Sequence, residues 1–132
     1  MHWLLKCFRR YAQFEGRAGF SEWGAFTLFV IGVQVSGLGL DIAMGWEKEN
    51  LVGWMKWYPT FEISRMLLIL PFLAVSARRL HDTGESGWKT LLWLVPLLGW
   101  YFLLPHLVKD GDPTPNAFGP PEEETPQEKA RI

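Results

Sequence analysis

The residues best suited to chemistry lie in one short run, RRLHDTGESGW, residues 78–88. Arg78, Arg79, His81 and Asp82 are side chains of the kinds that bind anions, relay protons or hold metal ions. A metal or hydrolytic centre needs several such groups to converge on one point. The other histidines are His2, near the terminus, and His106, which a continuous helix would place about 27 Å from Trp88. Cys7 is the single cysteine, so an intrachain disulfide and a thiolate metal cage are both excluded. No glycine-rich phosphate loop follows a strand, and no serine-nucleophile motif is visible. No catalytic, metal-binding or cofactor-binding residue is therefore assigned, and no enzyme is expected.

The elements that must position this run are strongly apolar. Met66–Val75 precedes it and Leu91–Leu98 follows it. The chain has 132 residues, enough for one domain, and a net charge of −1, which offers no nucleic-acid footprint. Eight Trp in so short a chain point to membrane–water interfaces, where an apolar ring and a polar N–H are both served. The expected fold is an all-α membrane protein: a basic amphipathic N-terminal helix, three transmembrane helices and a disordered acidic tail.

In that reading residues 1–109 form the membrane domain. The N-terminal helix covers about residues 2–13, with Trp3, Leu4, Cys7, Phe8 and Tyr11 on one face and Lys6, Arg9, Arg10 and Gln13 on the other. That pattern suits the headgroup layer of an anionic bilayer. The first span is 23–44, which at 1.5 Å per residue reaches about 33 Å, against a hydrocarbon core of about 30 Å. Gly32, Ser36 and Gly39 lie on or near one face of it and would admit another helix. Residues 45–59 form an aromatic connection, with a short interfacial helix expected over Leu51–Tyr58. The second span, 61–79, contains Pro71, and Glu62 and Arg65 reach outward from it. The third span is 88–108, kinked or unwound at Pro96 and Gly99 in its middle; a re-entrant hairpin is the alternative. Residues 110–132 form a flexible acidic tail, too poor in apolar groups to offset their ordering entropy, with a turn at GDPTPNAFG.

Basic residues set the orientation. Lys6, Arg9, Arg10 and Arg17 precede the first span, whereas the next connection holds only Lys48 and Lys56. The N-terminus and the RRLHDTGESGW loop therefore belong on the cytoplasmic side. Three spans put the tail outside; a hairpin returns it inside.

Three blocks, FEGRAGFSEWGAF (14–26), RRLHDTGESGW with LLWLVPLLGW (91–100), and GDPTPNAFG (111–119), resemble the signatures of domain-of-unknown-function family 805, small bacterial inner-membrane proteins. The resemblance covers nearly the whole chain in order. It implies a multi-spanning inner-membrane protein and no particular activity. The family usually carries a base where Phe20 stands and an aromatic–tryptophan pair where Trp23-Gly24 stands.

Shared depth and opposite charge lead to specific pairs. Glu22 is expected to meet Arg78 or Arg79, and Arg17 to meet Asp82, with His81 as a hydrogen-bonding member of the same polar cluster. Near the other end, Asp41 and Arg65 form a candidate intramembrane pair. The expected role is structural or accessory, through helix–helix contacts and the cytoplasmic cluster; the alternative is a subunit of an oligomeric channel or transporter. Expected partners are the lipid bilayer and a second copy or another membrane protein, with no cofactor and no nucleic acid.

Overall fold

A computed structural model describes residues 2–49 and 55–121. Its frame is an antiparallel pair of long helices, α2 (Phe20–Met44) and α3 (Pro59–Asp82), preceded by a short α1 (His2–Arg9). Both long helices are long and apolar enough to cross a membrane. Both start earlier than the sequence pattern places them, α2 by one turn, because Phe20, Ser21 and Glu22 continue its helix toward the polar end. Close packing of the pair is set at Gly37, where an added Cβ would meet the Phe61 backbone at 3.6 Å. Gly32, Ser36 and Gly39, the small residues expected to admit a helix, are exposed instead.

Each end of α2 is tied to α3. Gly45 takes the left-handed conformation that closes α2, and its N–H reaches back to the Asp41 and Ile42 carbonyls. One helical turn earlier, the fully buried Asp41 carboxylate accepts hydrogen bonds from the Thr60 and Phe61 backbone N–H groups, at 3.1 and 3.0 Å. These are orphan donors of the first turn of α3, whose N1 position is Pro59 and whose own N-cap, Tyr58, offers no capping side chain. The expected Asp41–Arg65 pair is therefore absent. Arg65 pairs with Glu62 at 2.5 Å on an exposed face of α3, and Asp41 serves the helix terminus instead. Two backbone donors at a positive helix end satisfy a carboxylate without holding a long cationic side chain in place.

The connection differs from expectation as well. Lys56–Trp57 (β2) pairs antiparallel with Lys48–Glu49 (β1), braced by a Lys56–Glu47 ion pair at 2.7 Å. The helix expected from Leu51 thus gives way to a strand at its C-terminal end; Leu51–Trp54 lie outside the described residues.

The largest correction concerns 88–108. The segment expected to cross, with an interruption at Pro96 and Gly99, is a 3-10 segment (Gly87–Leu94), a break at Val95–Leu97, and α4 (Leu98–Val108). Pro96 lacks an N–H, and Leu97 turns with φ 63° and ψ −67°, a conformation strained for a residue with a Cβ. Gly99 then presses against the Leu92 carbonyl so closely that a Cβ would stand 1.9 Å from its oxygen. The segment doubles back. Gly87 lies against His81 near the end of α3, and Leu107 and Lys109 return to Arg79 at that same end.

Residues 110–121, expected to begin a flexible tail, instead fold over the end of α3 as a strap. Asp112 N–H donates to the Asp82 carbonyl at 2.6 Å, and Asn116 and Gly119 bridge to each other. The rest of the tail, 122–132, lies outside the described residues.

Candidate functional site

The polar cluster forms where the start of α2, the end of α3, the end of α4 and the strap meet. It is built in two linked halves. In the first, the Arg78 guanidinium donates to Glu22 Oε1 at 2.6 Å, and both side chains are wholly buried. The Lys6 ammonium of α1 stands 3.0 Å from Glu22 Oε2. Cys7 Sγ lies 3.6 Å from Oε1. Burial, the neighbouring Glu22 charge and that hydrogen bond push the Cys7 thiol up to about 12, although the nearby Arg78 opposes them. Arg78 Nε and Nη2 find no hydrogen-bond partner among the described residues.

The second half centres on Arg17 and Asp82. Arg17 Nε donates to Asp82 Oδ1 at 2.8 Å, and Nη2 donates to the Asp82 and Asp112 carbonyls. Nη1 donates to the Thr114 and Gly119 carbonyls of the strap, at 2.9 and 3.3 Å. All five guanidinium N–H donors are thus engaged. Arg79 donates to Asp82 Oδ2 at 2.7 Å and to the Leu107 and Lys109 carbonyls at the end of α4. These are carbonyls that a helix end leaves unsatisfied. The Phe20 ring lies 5.4 Å from the Arg79 guanidinium carbon, an aromatic face where the family pattern usually has a base. His81 Nδ1 lies 2.9 Å from the Gly16 carbonyl, the His81 ring stacks on Phe118 with centroids 4.0 Å apart, and Asn116 donates to the His81 carbonyl.

Arg17, Glu22, Arg78, Arg79, His81 and Asp82 therefore gather at one end of the helix pair, whereas Asp41 and Arg65 lie away from it and apart from each other. Sequence reasoning missed several partners. Cys7 lies on the apolar face of α1 expected to meet lipid, and Lys6 on the basic face expected to meet headgroups; Leu4 and Cys7 pack toward α2 instead, Lys6 reaches Glu22, and Phe8 meets Phe26 and Phe29 edge-on. The Trp3 side chain lies outside the described residues. The strap carbonyls were invisible because acidic, proline-rich composition reads as disorder. The one signal was that GDPTPNAFG is itself a family block.

Around the cluster, Glu85 is held below the usual carboxylate range chiefly by its hydrogen bond and charge contact with Lys89, and His106 Nδ1 comes within 3.7 Å of it. Asp112 is held down by the Thr114 hydroxyl and N–H. No group of three histidine, cysteine or carboxylate side chains able to hold a metal ion occurs among the described residues.

These features define a helical protein with two helices of membrane-crossing length and a buried cluster of paired charges at one end. The chain belongs to the family described as a protein of unknown function (DUF805), whose model matches residues 11–120. It is similar to the Escherichia coli K12 inner membrane protein YhaH, 39% identical over 91% of this chain and 95% of that protein. It is also similar to the inner membrane protein YhaI of the same organism, 35% identical over 90% and 93% respectively. No solved structure matches it significantly.

Proposed function

We propose that this chain is a multi-pass inner-membrane protein with a structural or accessory role, exerted through helix–helix contacts and organised by the cluster at its cytoplasmic end. Inner-membrane placement is supported by the relatives' names and by exposure. Only 17% of the most apolar window of α2 and 33% of that of α3 is buried, whereas the core helix of a soluble protein is mostly buried. Leu28, Val35, Met66 and Leu67 are each more than half exposed. The excess of bases before α2 favours an inside N-terminus. The doubled-back 87–108 segment then acts as a re-entrant hairpin, and the strap lies on the same side.

One observation carries the accessory reading: the charges of the cluster pair with one another, although Arg78 Nε and Nη2 keep no hydrogen-bond partner among the described residues. Arg17 has no donor left for a substrate, and Asp82 and Glu22 each face two cations. Such a site fixes the ends of helices relative to one another. Affinity purification of the full chain from membranes, followed by measurement of partner stoichiometry, tests it. A partner in fixed ratio, with no ion flux from liposomes holding this protein alone, is expected. Flux from the pure protein would favour the alternative, a subunit of an oligomeric channel or transporter. That alternative is supported by the polar Ser64–Gln34 bond at 2.9 Å between α2 and α3 and by the bare Gly32–Ser36 surface beside it.

A further inference from the structure

A cavity of about 700 Å³ opens beside the cluster, between the Phe14–Glu15 corner, α3, the 3-10 segment and the strap. Its size falls among small-molecule sites, about 300–1,000 Å³. The lining is polar at one end, with Glu15, His81 and Ser86, and apolar at the other, with Leu73, Ala77 and Leu91. His81 and Leu73 are two helical turns apart on α3, about 12 Å. A site with that polarity gradient matches an amphiphile lying parallel to the helix.

The atoms at the polar end specify the head. A carbonyl only accepts hydrogen bonds, so His81 Nδ1 carries the proton that meets the Gly16 oxygen. In the uncharged ring Nε2 then presents a lone pair. Stacking on Phe118 fixes that edge in place. Gly87 keeps it open: a Cβ there would stand 2.7 Å from Nε2. Glu15, an exposed residue, also lines the cavity, and its carboxylate forms no ion pair or hydrogen bond among the described residues. The Ser86 hydroxyl makes no capping bond to the segment it precedes. No Lys or Arg among the described residues lines the cavity. Two acceptors, one of them anionic, call for a cationic N–H donor between them, and a phosphate attached to that donor must lie outside the cavity, toward the rim.

We infer that this groove seats a phospholipid with a primary-amine head, of the phosphatidylethanolamine class. Its ammonium lies between Glu15 and His81 Nε2, and one acyl chain runs along Ala77, Leu73 and Leu91. Trp88, 81% exposed at the rim, sits where indoles favour the headgroup layer. The inference rests on the membrane placement proposed above.

The test uses the full chain in vesicles of equimolar phosphatidylethanolamine, phosphatidylcholine and phosphatidylglycerol. Mild detergent extraction and native mass spectrometry then count the lipids retained. One phosphatidylethanolamine per chain is expected, preferred about tenfold over phosphatidylcholine, whose methylated head donates no N–H. Glu15→Gln removes a charge without touching an internal bond, and Gly87→Ala closes the Nε2 edge; each should bring retention toward the phosphatidylcholine level. Equal retention of the two lipids, or a preference for phosphatidylglycerol, overturns the inference while leaving the membrane placement standing. Displacement by excess glycerophosphoethanolamine overturns the acyl seat, since the head alone would then suffice. Recovery of the chain in the aqueous fraction without detergent overturns the membrane placement and the inference together.

Discussion

Glu22 shows what a single buried charge demands. It faces Arg78 and Lys6 at 2.6 and 3.0 Å with no exposed surface. Glu22→Ala should destabilise the protein by about 3–5 kcal/mol, because it strands Arg78 without a counter-charge. Adding Arg78→Met to that variant should recover most of the loss, read as detergent-solubilised thermal stability; a double variant no better than Glu22→Ala would show that the pair is not what matters. Cys7 offers an independent measure of the same pocket. With its pKa pushed up from 9.0 to about 12, its reactive thiolate should be about a thousandfold rarer at pH 8 than that of an unshifted thiol. Maleimide labelling of membranes should leave Cys7 unmodified until the protein is denatured, and labelling at the denatured rate would contradict this burial. Arg17 is the residue whose geometry a lysine cannot copy, since one ammonium has three donors against the five used here. Arg17→Lys should release the strap, and limited proteolysis within residues 112–119 should accelerate while α2 and α3 stay protected.

At the scale of elements, helix ends are where this fold is decided. Asp41 caps α3 from a neighbouring helix, so Asp41→Ala should cost about 1–2 kcal/mol of thermal stability. Arg65→Ala, which breaks only an exposed pair, should cost no more than about 1 kcal/mol. Equal losses would restore the direct Asp41–Arg65 pairing that the structure lacks. The break in the 87–108 segment was half legible. Pro96 and Gly99 marked an interruption, but proline in an apolar segment is compatible with a kinked crossing helix as well as with a reversal. What selects the reversal is the contact of Gly99 with the Leu92 carbonyl and the capture of the α4 end by Arg79. Neither can be read from local propensity.

For the whole molecule, the doubled-back segment places the N-terminal corner and the strap at one end and the β1–β2 connection at the other. In a cysteine-free background, single cysteines at Glu15 and Pro121 should therefore label from one face of the membrane, and one at Met55 from the opposite face. Labelling of Pro121 together with Met55 would reinstate a third crossing. The amino-acid sequence by itself determined the helical class, the two long apolar helices and the family, because hydrophobic length and a distinctive polar block are local properties. It also brought Glu22 to the Arg78–Arg79 pair, and Arg17 to Asp82, since two helices of known length joined by a connection put their ends at matching depths; the fold chose Arg78 for Glu22. Only the tertiary structure decided that Asp41 caps a helix, that Lys6 and Cys7 close the cluster, and that an acidic, proline-rich segment becomes a strap. The second of those depends on how α1 docks against α2, and the first and the last on backbone carbonyls or N–H groups brought close by the fold. Such groups are identical at nearly every residue and leave no mark in the order of side chains.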